Sequence, residues 1–141
     1  MNHYHEDSTM RTSMLLGAMI AGVIGLAGSA RSADHTKDTT DEIKKAVADG
    51  KAVLLDVREQ SEWDDGHLKD AKLLPLSVLK GGKPEDVAKI VPKDRIVYCH
   101  CASGIRSLKA ADALQKLGYN VRPMKSGYAD LLKAGFAPAT K

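Results

Sequence analysis

Apolar positions fall into two patterns along this chain. "KAVLLDV" (51–57) and "RIVYCHC" (95–101) are nearly continuous apolar runs bounded by breakers, and "YNVRPM" (119–124) is a shorter one. Such runs predict strands covered on both faces. Between them the spacing changes to threes and fours. "TDEIKKAVADG" (40–50) places Ile43, Ala46 and Val47 on one face, with Thr40 at the N-cap, acids in the first turn and Gly50 at the end, which predicts a helix. "KPEDVAKIV" (83–91) has Pro84 at a first-turn position, and "SLKAADALQKLG" (107–118) sets Leu108, Ala111, Leu114 and Leu117 in one stripe before Gly118. Helices alternating with buried strands predict an α/β domain around a mainly parallel central sheet flanked by helices.

The N-terminal third follows neither pattern. From Met14 to Ala27 the chain is uncharged and apolar, preceded by Arg11 and followed by "GSARSA". The run is shorter than the roughly 20 residues a spanning helix needs. It reads as a secretory signal over residues 1–30, with Gly28 and Ala30 suiting a cut after Ala30, and a cut after Ser32 also fitting. The alternative is an uncleaved signal anchor, the one case in which a membrane would be a partner. Either way the domain is expected to be exported, to the periplasm on the first reading. "MNHYHEDST" is acidic for the start of a signal, so translation from Met10 fits as well as from Met1. "DHTKDTT" (34–40) is polar and aperiodic, which predicts a linker over 31–39 ahead of a domain spanning 40–138.

Composition suits one domain with a modest core, at 141 residues and 43% hydrophobic. The 21 basic and 18 acidic residues give +3 without a basic block or interleaved aromatics, which argues against nucleic acid as a partner. Loss of residues 1–30 removes Arg11, Glu6 and Asp7 and leaves +4, a mild attraction for anions.

Both cysteines lie in "VYCHCASGIRS" (97–107). Cys101 falls where a strand stops and a helix has not begun, the place where parallel sheets gather ligand chemistry. Backbone N–H groups of Ala102, Ser103, Gly104, Ile105 and Arg106 could curl round its sulfur, with the helix's positive end beneath. Such surroundings favour a thiolate. Arg106 adds a charge and a planar fork for an anion, and Gly104 permits a turn that a side chain would forbid. Strand alternation puts Cys99 with Val97 on one face and Ile96, Tyr98 and His100 on the other, so Cys99 should be a packing residue. A disulfide between cysteines two apart would be strained, and two thiols make a poor zinc site, leaving only a minor redox role open for the pair.

A second segment carries more. "DVREQSEWDDGHLKDAKLLPLS" (56–77) resembles the upstream signature of the rhodanese sulfurtransferases through Asp56, Val57, Arg58, Glu62, Trp63, Gly66, His67, Leu68, Ala71 and Pro75. "CASGIRS" resembles their active-site loop, and "GYNVRPMKSGYADLLKAGF" their closing segment. The resemblance covers about residues 40–138, and a leader before one such domain is similar to the small periplasmic rhodaneses of the phage-shock type. Asp70, Ser126 and Leu131 depart from the family pattern outside the loop.

The resemblance implies a rhodanese-like single domain and transfer of a sulfane sulfur from thiosulfate or a similar small anion, through a persulfide on Cys101, to cyanide or a thiol. No metal or organic cofactor is implied. Residues 102–106 would bind the donor. Asp56, Arg58 and Ser107 would support the site, with Glu62 as the expected partner of Arg58. Trp63 is expected at the core or rim, His67 to orient backbone, and His100 to face the sheet rather than transfer protons. Two alternatives stand beside this reading: a persulfide carrier or binding module serving an exported protein acceptor, and a related phosphatase or arsenate reductase. The four residues between Cys101 and Arg106 count against the second, because those phosphatases have five.

Overall fold

The computed structural model describes residues 32–140. The leader and the two candidate start positions lie outside the described residues. A four-stranded, all-parallel sheet runs in the order β2-β1-β3-β4, formed by β1 (Ala52–Asp56), β2 (Ala71–Leu73), β3 (Ile96–His100) and β4 (Val121–Pro123). The chain leaves β1 to place β2 on one side and returns to place β3 on the other. The carboxyl ends of β1 and β3 therefore flank the point where strand order reverses, and the register pairs Asp56 with His100.

Helices cover both faces. α3 (Leu76–Gly81), α4 (Pro84–Ile90) and α5 (Ile105–Lys116) pack on one, where Val53, Leu55, Val97, Cys99, Leu79, Val87, Ala110, Ala111 and Leu114 form a continuous cluster. α1 (Thr40–Ala48) and α6 (Tyr128–Lys133) cover the other with Ile43 and Leu131 against Leu54 and Tyr98. Every residue of β1 is buried, which is why its sequence is a run rather than an alternation.

Three details differ from the sequence expectation. The N-cap of α1 is Thr39, not Thr40. A capping box needs an acid three residues on, and Thr39 finds Glu42 there, whereas Thr40 would find Ile43. The buried face of α5 is Ser107, Ala110, Ala111 and Leu114, with Leu108 and Leu117 only half-buried. It is turned by about one position because the Ser107 hydroxyl points inward to two loop carbonyls, of Gly104 and Met124. Residues 32–39 carry no helix or strand, yet they lie on the domain: the Ala33 N–H donates to Asp112 Oδ1 at 2.6 Å, the Thr36 N–H to the Pro123 carbonyl at 2.7 Å, and Asp38 accepts from Tyr98 Oη and Arg122 Nη1, each at 2.7 Å.

β2, α2 (Gln60–Asp65), α3 and α6 left no periodic signal, being three to six residues long. α2 buries no residue at all. At the far end of the chain, a bridge between Leu68 and Pro138, flanked by bonds from Lys69 N–H to the Ala137 carbonyl and from Ala139 N–H to the His67 carbonyl, lays the tail along residues 67–69.

Leu114 is fully enclosed at the centre of the α5 interface. Leu114→Ala should destabilise the domain by about 2–5 kcal/mol, the range for a buried leucine whose cavity cannot collapse. The measurement is the urea midpoint at unchanged m-value; a loss below 1 kcal/mol would contradict this packing.

Candidate active site

The loop from β3 to α5 is short because α5 starts at Ile105, five residues after the strand ends. Gly104 makes that turn as the N-cap, with φ +85° in the left-handed region. Its N–H donates to Cys101 Sγ at 3.0 Å. Cys101 itself is buried, while Ala102, Ser103 and Ile105 are exposed and Arg106 is half-buried. Of the five N–H groups expected around the sulfur, Gly104's is the one that bonds it. Those of Ile105 and Arg106 belong to the first turn of α5, whose N–H groups have no intrahelical partner, so donors remain close by for an anion.

A second loop backs the first. The Tyr128 N–H donates to the Cys101 carbonyl at 2.9 Å, and the Met124 N–H to the Cys99 carbonyl at 2.8 Å. A Cβ on Gly127 would overlap the Ala102 carbonyl oxygen, so only glycine permits this approach. Ser107, fully buried, reaches the Gly104 carbonyl at 2.8 Å and the Met124 carbonyl at 2.9 Å. His35, from the N-terminal segment, reaches the same Gly104 oxygen with Nε2 at 2.8 Å.

Below the loop lies a buried polar group. Arg58 Nε and Nη2 engage both oxygens of Asp56 at 2.8–3.1 Å, Nη2 also donates to the Gly66 carbonyl at 2.8 Å, and the guanidinium lies 4.3 Å from the Tyr128 ring centroid. Asp56 further accepts the Arg58 N–H at 3.0 Å. His100 Nε2 is 4.0 Å from Asp56 Oδ2, and neither ring nitrogen has a hydrogen-bond partner. Burial pushes the His100 pKa down, the nearby Asp56 charge opposing this, so the ring stays neutral.

The sequence reading expected Glu62 to pair with Arg58, but it pairs with Arg106. Arg58 turns back to Asp56 and Gly66, while α2 aims Glu62 at the start of α5, where its two oxygens take Arg106 Nη1 and Nη2 at 2.6 and 2.8 Å. The Glu59 N–H also donates to Glu62, at 2.9 Å. Both terminal nitrogens of Arg106 are therefore engaged by a carboxylate, which largely cancels the charge it presents to an incoming anion.

Cys99, Trp63 and His67 complete the surroundings of the loop. Cys99 is enclosed, its thiol donating to the Ser107 carbonyl at 3.3 Å, and burial pushes its pKa far up. Trp63 stacks on His67 with ring centroids 3.6 Å apart, and His67 Nδ1 donates to the Trp63 carbonyl at 3.0 Å, a rim arrangement that fixes backbone. Both cysteines are free, and no cluster of metal-binding side chains occurs among the described residues. Sequence reasoning missed His35, Gly127 and Tyr128. Only Gly127 carried a signal, as the glycine following a strand; His35 sat in an aperiodic segment with none.

The Arg106 hydrogen bonds, helped by the Glu59 N–H and opposed by burial, hold the Glu62 carboxyl at about 2, below its ordinary 4.5. A carboxyl lowered on folding stabilises fully above its unfolded value and loses that contribution as pH falls through the folded one. Wild type should therefore be more stable than Glu62→Gln at neutral pH, and the gap should close between about pH 4.5 and 2. Denaturation midpoints across that window check this; a gap independent of pH would show that the pairing is not what Glu62 contributes.

Residues 39–134 match the Rhodanese-like domain family. The probable adenylyltransferase/sulfurtransferase MoeZ of Mycobacterium tuberculosis is 36% identical over 93 residues, which are 65% of this chain and 23% of that protein, so the chain spans under a quarter of that relative. A sulfurtransferase of Allochromatium vinosum is 35% identical over 81 residues, 57% of this chain and 71% of that one. Among solved structures, the human single-domain sulfurtransferase TSTD1 superposes with a TM-score of 0.54 at 23% identity, covering 73% of this chain and 96% of that one, a likeness of fold. Strand order, loop position and sequence match agree: the chain belongs to the rhodanese-like domain family.

Proposed function

We propose that the domain is a sulfurtransferase in which Cys101 carries sulfur as a persulfide. The observation that carries this reading is the Gly104 N–H on Cys101 Sγ, at the end of β3 and beside the free N–H groups of the first turn of α5. Thiolate at Cys101 attacks the outer sulfur of thiosulfate. The new S–S bond forms as the bond to the sulfonate sulfur breaks, and sulfite leaves with that electron pair. Cyanide, or a thiolate, then attacks the terminal sulfur of the persulfide, leaving as thiocyanate or a new persulfide and restoring the Cys101 thiolate. No net oxidation or added cofactor is required.

Residues 102–106 supply the donor site through backbone N–H groups more than through charge, since Arg106 is tied to Glu62. The same tie weighs against phosphate chemistry, which would call on that guanidinium to clasp a tetrahedral anion. An exposed Ile105, at 62% of its full exposure beside the loop, favours an acceptor with apolar surface and keeps the persulfide-carrier reading in play. Asp56, Arg58 and Ser107 hold the frame. We further infer export with loss of the leader, from Arg11, the apolar run and "GSA".

Incubation of the purified domain with thiosulfate should add one sulfur to the intact mass, lost on addition of cyanide. Cys101→Ser should gain none, and Cys99→Ser, if folded, should gain one. With both its terminal nitrogens held by Glu62, Arg106→Ala should reduce loading efficiency by less than about tenfold, short of the roughly 1.5–3 kcal/mol that a charge-assisted bond to the donor would be worth. Sulfur uptake by Cys101→Ser would overturn the assignment, and fast loading with slow release to cyanide and small thiols would establish the carrier. Export is checked by N-terminal sequencing of the protein from its host: a start near Arg31 or Ala33 is expected, whereas an intact leader in the membrane fraction would establish the anchor.

A further inference from the structure

The N-terminal segment ahead of the family-matched region carries a group into the loop. The match begins at residue 39, yet residues 33–38 are fixed to the domain on both sides of His35. On one side, Ala33 is buried in the α5 cluster and its N–H bonds Asp112. On the other, Thr36 bonds the end of β4, and Asp38 holds Tyr98 on β3 and Arg122 on β4. His35 is thus delivered to the Gly104 carbonyl by anchors that do not involve the loop.

That carbonyl matters through the peptide it belongs to. The Gly104 C=O and the Ile105 N–H share one planar trans unit and point in opposite directions, so whatever holds the oxygen also aims the N–H. The next peptide back carries the Gly104 N–H that bonds Cys101 Sγ. Gly104 sits at φ +85°, a conformation that glycine leaves freely, so the turn has little stiffness of its own. Ser107 is one support for the carbonyl, but its hydroxyl has a single proton for two oxygens, those of Gly104 and Met124. A carbonyl oxygen only accepts, so His35 Nε2 must carry the proton, and it does so whether the ring is neutral or protonated.

We propose that His35 is a positioning residue for sulfur transfer, holding the Gly104 peptide so that the loop N–H groups face the Cys101 sulfur. The proposal rests on the sulfurtransferase reading for its activity readout. The N-terminal segment is then part of the working site, and a leader cut after Ala30 or Ser32 leaves it whole.

The test compares wild type, His35→Ala and His35→Gln in thiosulfate loading of Cys101, with the initial rate divided by the sulfur taken up at the end point. Gln places a donor nitrogen as many bonds from Cβ as Nε2 of His. His35→Ala should load about 2- to 10-fold more slowly per loadable site, the effect of one net hydrogen bond, and His35→Gln should recover most of that. Deuterium exchange at residues 102–107 should quicken in His35→Ala and return in His35→Gln. A merely structural role would lower the melting temperature or the loadable fraction and leave the rate per loadable site unchanged. Unchanged or faster loading by His35→Ala overturns the proposal, as does exchange that does not respond. If wild type itself takes no sulfur, the sulfurtransferase reading has failed, and the exchange measurement still decides whether His35 holds the loop.

Discussion

Parallel pairing of β1 with β3 is the constraint on which the rest depends. Parallel neighbours in register bring their carboxyl ends to one level, and here that level joins Asp56 to His100. The residues that follow each strand, Val57 and Arg58 on one side and Cys101 on the other, must then emerge together. Because β2 lies beyond β1 and β4 beyond β3, the chain diverges at this point and leaves the ends uncovered by a direct connection. Chemistry placed there meets two loops, the start of α5 and little else.

Uncovered strand ends have an energetic consequence. Asp56, Arg58 and His100 are taken out of water beneath the loop, and a buried charge is tolerated only when its partners are complete. Asp56 has four such bonds, three from the Arg58 side chain and one from its backbone. Arg58 spends its remaining reach on the Gly66 carbonyl and the Tyr128 face, so one side chain joins β1 to the turn after α2 and to α6. Removing either ion would strand the other, at about 3–5 kcal/mol. With Asp56 so fully claimed by Arg58, His100 at 4.0 Å stays a neutral packing ring rather than a third member of the pair.

Long elements were legible because their burial imposes a pattern. β1, β3, α1, α4 and α5 each place apolar residues at a spacing that a window can detect, and Cys101 followed from the strand's end. Short ones were not. β2 is a half-buried edge of three residues, and α2 buries none, so neither constrains its own letters. Pairings between distant segments were also hidden: Glu62 could be assigned to Arg58 or Arg106 only once α2 was seen to face α5. The polar stretch at 32–39 concealed most, since bonds through Thr36 N–H and Ala33 N–H use backbone and leave no mark on residue type. Thr39 shows the opposite case, as its capping partner Glu42 stood in plain view three residues on.

Two sulfurs two residues apart end in opposite chemistry. Both project to the same face, and both are buried. Cys99 still lies within β3, so the surrounding backbone offers it an acceptor, the Ser107 carbonyl, and its thiol keeps the proton to donate. Cys101 lies past the strand, where the chain turns through Gly104 and offers a donor instead, the bond that a sulfur anion accepts. Burial, and after it negative charge at Cys101, pushes the Cys99 pKa up, so Cys99 keeps its proton. The opposite hydrogen-bonding roles of the two sulfurs follow from where the strand ends.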